Sequence, residues 1–458
     1  MQGTVPYAHL GIVSDPSKRL KNLIFLVSGM VIIFMLCFWV IYWRGSQDIE
    51  PPDVSDLVVK AVTVAPEDNA LTYVEKATNA LIWDRSLVWN EDPEAVDLES
   101  WIKGEVEIDA AVLAKTMKEN HTVFEELKRA SECPLFVAPR VLLDQPSGWD
   151  ISGFIALRGL VAAKARCQAE SGDIEAAVET LIANYRLALL IQGDGANLFH
   201  LLVSNAMTHA FTEEMIVLAR RVETPKAVIE KMLETIPQSS TVDQVFSRAM
   251  KNEYFGISEY IDHCLSSEEG RDNLVHMSAI LDLPDQLEFL SGAFFTYRFH
   301  PNRTKQLFAD NYRNYIFKRP DTYVEAANSG FLEYEGGEFC WQEALKPNAL
   351  GMSLALDSET SIFAYAPFLF EKLCTMKHQL DSSRLALAAL AYQKDHGSLP
   401  PSLKELEGRY LSEIPNDPFD GSEMRYSSSK HIIYSIGEDG LDDGGDRDDL
   451  AVKLLAEP

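Results

Sequence analysis

Leu23 to Trp43, LIFLVSGMVIIFMLCFWVIYW, is a run of 21 residues without a charge. A helix needs about 20 apolar residues to cross the hydrocarbon core of a bilayer, and this run supplies them. It is apolar on every face, whereas a helix in a soluble core usually keeps one polar stripe. It is long for the apolar region of a signal peptide, and no A-x-A cleavage site follows closely. Trp39, Tyr42 and Trp43 gather at its end, where interfacial aromatics are expected. Lys18, Arg19 and Lys21 precede it, and the sequence after Arg44 turns acidic. The positive-inside rule then places residues 1–22 in the cytoplasm, a single transmembrane helix at 23–43, and residues 45–458 outside the inner (plasma) membrane.

The remaining composition is that of a globular protein. Apolar residues make up 47% of the chain and aromatics 10%, enough for a substantial core. At 458 residues the chain is long enough for two or three domains. The net charge of −28 would repel a phosphate backbone, so no nucleic-acid partner is expected. Of the six cysteines, Cys37 lies in the span, and Cys133, Cys167, Cys264, Cys340 and Cys374 are far apart with no C-x-x-C pair. One or two disulfides would be permitted outside the membrane, but buried free thiols are the favoured expectation.

Residues 44–56 read as a linker, with two prolines and three acids before Asp56, spacing a domain from the membrane. Residues 57–380 read as a helical domain. DAAVLAKTMKENHTVFEEL and FHLLVSNAMTHAFTEEMIVLARRV repeat apolar residues every three or four positions. The clearest pair of helices turns at Ser171-Gly172, with Gly172 as a C-terminal cap and Asp173 capping the next helix. No 34-residue period accompanies it, so an antiparallel helical hairpin is expected in preference to a solenoid repeat.

Residues 381–458 differ in kind. Ser382 or Ser383 is expected to cap a helix through RLALAALAYQKDH that ends at Gly397. Ser402 and Glu405 form an S-x-x-E capping box for a short helix closed by Gly408. Phe419-Asp420-Gly421 is a turn, and MRYSS and KHIIYSI are strand-like. An α+β unit with a small antiparallel sheet ends in GEDGLDDGGDRDDL, which holds seven carboxylates between Glu438 and Asp449.

This tail resembles the C-terminal half of the major (G-type) pseudopilin of type II secretion. The motifs that carry the resemblance are Ala391-Tyr392, Gly397, Leu399-Pro400, Pro415-Asn416-Asp417-Pro418-Phe419, Tyr426, Tyr434-Ser435-Ile436-Gly437, Asp439-Gly440 and Gly444-Gly445. The apolar run carries no glutamate and stands far ahead of this region, so a fused pseudopilin-like module is expected and not a filament subunit.

The resemblance implies one structural calcium in the acidic loop, bound by aspartates and backbone carbonyls. Calcium takes six to eight oxygen ligands in tolerant geometry and neutralises clustered carboxylates. Its binding free energy becomes folding free energy for a glycine-rich loop. Asp439, Asp446 and Asp449 match the family spacing D-x6-D-x2-D, and carbonyls near Ile436 would complete the shell. Gly444-Gly445 sits one place later than usual in that family, so Asp442, Asp443 or Asp448 can substitute. An EF-hand does not fit, because a start at Asp439 puts Leu441 at the third position and a start at Asp442 puts Arg447 at the sixth. A solvated acidic turn is the alternative.

No H-E-x-x-H, G-x-S-x-G, P-loop or G-x-G-x-x-G pattern accompanies these features. His263 lies beside Cys264 without making a dyad motif. Arg303, Lys305, Arg313, Lys318 and Arg319 gather cations in an acidic domain, where they are expected to pair with local carboxylates. The sequence points to a membrane-anchored, periplasmic-facing scaffold that works through protein partners in the envelope or in secretion. The alternative is an extracytoplasmic enzyme with its active site in the helical domain.

Overall fold

The computed structural model describes residues 16–60, 62–82, 98–103, 105–139, 151–193, 196–266, 268, 270–271, 299–333, 346–356 and 366–455. Cys340 and the stretch LSGAFF at Leu290–Phe295 lie outside them. The described part is mostly helical, with one small sheet near the C-terminus.

Helix α1, Pro16–Gly45, contains the apolar run. Its side chains are exposed all round, Phe25 at 83% and Phe34 at 72%, so no part of the body covers it. It is the one described helix long and apolar enough to cross a membrane. The body then opens with α2 (Ala70–Ala80), α3 (Leu98–Lys103), α4 (Ala110–Glu119) and α5 (His121–Glu132). Next come α6 (Ile151–Glu170), α7 (Ile174–Ile191), α8 (Leu198–Ala219), α9 (Lys226–Thr235) and α10 (Ser240–Ser266). The α6–α7 hairpin turns where the sequence says it should. Gly172 has φ +89°, and the Asp173 carboxylate accepts from Ala176 N–H at 3.1 Å.

Helices α11 (Pro301–Phe317), α12 (Tyr323–Asn328), α13 (Ala349–Leu356) and α14 (Ala366–His396) complete the helical part. The expected cap at Ser382 or Ser383 is not a helix start, because α14 begins sixteen residues before Ser382 and runs through both serines. Ser382 is fully buried in mid-helix and returns its hydroxyl to the Gln379 carbonyl at 3.4 Å. Burial overrides the capping preference, since a hydroxyl can bond the preceding turn of its own helix. The helix ends as expected, with Gly397 at φ +76° and its N–H on the Gln393 carbonyl at 2.8 Å.

Two apolar clusters make the core, and α14 runs through both. Leu369, Phe370 and Leu373 pack with α10, α11, Phe419 and Ile436. Leu385 to Ala391 pack with α6 to α9 and with Met424, Ile433 and Leu454. An Ala/Leu-rich helix buried on every face suits this role, because small residues let neighbouring helices approach and alanine favours helix. The helical part and the C-terminal sheet therefore share their cores.

After α14, Leu403–Leu406 forms one 3₁₀ turn, and Ser402 makes no capping bond to it. Three short strands follow, β1 (Arg425–Ser427), β2 (Ile432–Ser435) and β3 (Leu450–Lys453), in the order β1-β2-β3. Both pairings are antiparallel, with Tyr426 opposite Ile433 and Ile433 opposite Val452. The sheet expected from MRYSS and KHIIYSI is present, and β3 extends it beyond the acidic loop.

The linker is not a free spacer. Asp48 accepts from the N–H groups of Asn302 and Arg303 at 2.8 and 3.1 Å, at the N-terminus of α11. The Arg313 guanidinium grips the Asp56 carboxylate at 2.8 Å and the Asp53 carbonyl at 2.6 Å. A carboxylate at a helix N-terminus meets unsatisfied N–H groups and the positive end of the dipole. This satisfies two demands at once and ties the residues just after α1 to the body.

Candidate functional site

The acidic loop runs from the end of β2 to the start of β3, and its frame is set before it begins. Asp417 has a side chain with 0% exposure, yet both of its oxygens are partnered. Its Oδ1 accepts from Ser435 Oγ at 2.7 Å and from Phe419 N–H at 2.9 Å. Its Oδ2 accepts from Ile436 N–H at 3.2 Å and from Arg425 at 2.7 Å. Burial pushes this carboxyl up, and the hydrogen bonds from Ser435, Phe419 and Ile436 oppose that shift. Asp417 thus ties the segment before β1 to the end of β2 and to a cation on β1.

Gly437 begins the loop at φ +68°, and a Cβ there would stand 2.5 Å from the Asp448 carbonyl oxygen. The two ends of the loop meet at this point, and only glycine permits the approach. Within the loop, Asp439 accepts from Leu441 N–H and Asp442 from Gly444 N–H, each at 3.0 Å. These are local turns of the kind short aspartates favour.

The six candidate ligands fall into three groups. Asp442, Asp443 and Asp446 face cations: Arg425 at 3.2 Å, Arg447 at 3.5 Å and Lys430 at 2.6 Å. Asp439 and Asp448 are exposed. Asp449 is buried; its Oδ2 accepts from Gly445 N–H at 2.6 Å, and its Oδ1 has no hydrogen-bond partner within 3.5 Å among the described residues. Burial pushes the Asp449 carboxyl up, with repulsion from Asp442 and Asp443 adding to it. Among the described residues no three His, Cys, Asp or Glu side chains are gathered as a ligand set. The donor chemistry suits a hard cation, since every candidate offers oxygen and one buried oxygen is orphaned.

Arg425 and Lys430 carry this region with Asp417; the sequence marks Asp417 only as part of a motif and gives no sign of the two cations. Arg425 binds Asp417, Asp420 and Asp442 together. Its position between Met424 and Tyr426 gives no local sign of that, because its partners lie 5, 8 and 17 positions away, at no regular helix or strand repeat.

The cations read from the sequence as locally paired are so in three cases. Lys305 meets Asp262 at 2.7 Å, Arg313 meets Asp56, and Arg319 meets Asp243. Cys264 is buried and His263 exposed, so the neighbouring pair point apart. Cys133, Cys167, Cys264 and Cys374 are free thiols.

A different set of cations shares a cleft with Glu132 and Glu179 but pairs with neither among the described residues. Lys128, Lys164 and Arg186 line a cleft of about 450 Å³ between α5, α6 and α7, and among the described residues none is in an ion pair. Lys164 stands 4.1 Å over the Phe124 ring. Burial, with repulsion from Lys128, holds its ammonium below the usual lysine range. In a chain of net charge −28 an unpaired cationic cleft is a place for an acidic group. Comparisons with known protein families, with curated proteins and with solved structures find no match, so the reading of these sites rests on their own residues.

Proposed function

We propose that this chain is a single-pass envelope protein that holds a helical interaction domain against the outer face of the inner membrane. The observation that carries this reading is the docked linker. Asp48 caps α11 only three residues after α1 ends at Gly45, so a bilayer around α1 would lie directly against the helical body. A freely swinging tether would need no such contact. The protein partner is one that offers an acidic segment to Lys128, Lys164 and Arg186. The role is that of a scaffold in envelope assembly or secretion.

The second element of the proposal is the tail. Residues 381–458 form a pseudopilin-like module, supported by the ordered motifs from Ala391-Tyr392 to Gly444-Gly445. Its loop takes one calcium through Asp439, Asp446 and Asp449, with Asp442, Asp443 and Asp448 as the substitutes. The orphaned Oδ1 of Asp449 is the structural observation in its favour. Bound calcium would supply charge neutralisation and rigidity to the loop, while this chain's own residues position it through Asp417 and Arg425.

Membrane attachment and topology are tested together. Alkaline extraction of membranes should leave the full-length chain in the pellet, and protease added outside should remove residues 45–458. Release of a shortened chain lacking α1 into the soluble fraction would show a cleaved signal and overturn the anchor. A photo-crosslinker at Ala183, in the cationic cleft, should trap a partner in a manner lost with Lys164→Glu. Trapping unchanged by that substitution would remove the acidic-partner claim.

A further inference from the structure

A second cleft lies on the seam where the helical body meets the sheet. It holds about 390 Å³ and is walled by α8, α14 and strand β3. Strand β3 pairs with β2 on one side only, so its other edge borders this space. Ser382, the buried serine in the middle of α14, is part of the wall.

Four buried side-chain atoms around this cleft have no hydrogen-bond partner among the described residues. They are His209 Nδ1 and Arg220 Nε from α8 and its end, and His378 Nδ1 and Gln379 Oε1 from α14. Buried polar atoms are nearly always satisfied, so four orphans on one cleft call for an occupant. His378 is only 3% exposed, which rules out bulk water as the partner of its ring.

The character of the four atoms specifies that occupant. Arg220 is a cation whose Nη2 already donates to the Lys453 carbonyl on β3, leaving Nε–H as a charged donor. His209 holds Nε2 3.6 Å from Glu213, which leaves Nδ1 as the unpartnered ring nitrogen. Burial, aided by His209, lowers His378 to about 4, so its ring is neutral at pH 7 and one ring nitrogen must accept. Gln379 Oε1 accepts only. One charged donor therefore stands with an amide oxygen and two imidazole nitrogens, Glu213 and Lys453 also line the cleft, and Ile216, Val217 and Val452 give it an apolar flank.

We propose that this cleft binds a free α-amino acid. Its carboxylate takes Arg220 Nε–H, and its ammonium is shared among His209 Nδ1, His378 Nδ1 and Gln379 Oε1. Its side chain lies along Ile216, Val217 and Val452. A volume of about 390 Å³ suits a ligand of that size, toward the low end of small-molecule sites. The site is separate from the acidic loop and from the cationic cleft, so it stands or falls independently of the proposed scaffold role.

The test is titration calorimetry on the full chain in detergent micelles, using the twenty common L-amino acids one at a time. At least one should bind saturably with Kd below about 1 mM. For that ligand, the matching amine without the carboxylate and the matching acid without the ammonium should each bind at least about tenfold more weakly. Arg220→Gln should lose binding by a similar factor, and Arg220→Lys should recover part of it. Nitrogen-15 spectra of labelled histidine should show the His209 and His378 rings shifting on saturation of the wild-type chain, a readout that needs no variant to fold. A cleft that holds only ordered water would give no saturable heat up to about 10 mM with any of the twenty, and that result would overturn the proposal. So would binding that is unchanged in a folded Arg220→Gln chain.

Discussion

The linker and the acidic loop are both short, acidic and rich in turns, yet they resolve their charge in opposite ways. In the linker, the carboxylates of Asp48 and Asp56 meet donors on α11, and that of Asp53 accepts from Ser55 N–H while its carbonyl meets Arg313. Arg313 also holds Asp56 below the usual carboxylate range, and hydrogen bonds to Ser55 do the same for Asp53. In the loop, three cations face three carboxylates, while Asp449 is buried with its carboxyl pushed up and one oxygen orphaned. A run of negative charge therefore has no fixed meaning. What decides it is whether neighbouring elements bring donors to the carboxylates they bury, and in the loop one buried oxygen lacks a donor among the described residues.

The largest effect is expected where the loop's frame is cut. Arg425→Ala would leave Asp417 as a buried charge without its cation, which should cost about 3 kcal/mol and lower the unfolding midpoint accordingly. If calorimetry showed a loss below about 1 kcal/mol, Asp417 would not be the keystone assigned here. Gly437→Ala follows, since a Cβ would meet the Asp448 carbonyl at 2.5 Å in a left-handed backbone. About 2 kcal/mol is expected, and an unchanged melting curve would mean that the ends of the loop do not close at this point.

On the linker side, Arg313→Ala should cost only about 1 kcal/mol, because the pair with Asp56 is half exposed. Its sharper readout is proteolysis between Gly45 and Asp56, which should become several times faster once that end of the linker is released. Cleavage at the wild-type rate would show that the linker's docking does not depend on Arg313.

Acid should separate the two segments, with a smaller effect. Asp56 has a depressed carboxyl, so the stability it contributes is present above the ordinary value of 3.8 and is lost only as pH falls through its lower folded value. Asp449 has a raised carboxyl, so the folded loop takes up a proton first, and the calcium-free fold gains stability from this group as pH falls. Calcium requires the ionised form, so its stabilising effect should shrink as pH falls toward the ordinary carboxylate value of 3.8, while the protease resistance of the linker persists to lower pH. Loss of both at the same pH would erase the contrast.

Much of the fold was legible because it depends on local signals. The charge-free run at Leu23–Trp43, the Gly172-Asp173 turn and the Gly397 stop each act through their own few residues. The start of α14 was misplaced because Ser382 looks like a cap until one knows that it is buried on all sides. Ser402 and Glu405 match a capping box in sequence, but the chain makes a single 3₁₀ turn there and leaves the serine unused. Strand β3 is only four residues long and gains its identity from pairing with β2, which is not a local property. The candidate aspartates could be named in advance. Their cationic partners Arg425 and Lys430 could not, since both reach the loop only through the folded sheet.

The central claim is that the loop's charge deficit is met by calcium. The direct measurement is the unfolding midpoint of the full chain in detergent micelles, in a few millimolar calcium and again in excess chelator. A ligand present at about a hundred times its Kd stabilises by roughly 3 kcal/mol, so calcium should raise the midpoint by several degrees, and Asp449→Asn should abolish the rise. Identical midpoints with and without calcium would contradict the account and return the loop to a solvated acidic turn held by Arg425 and Lys430.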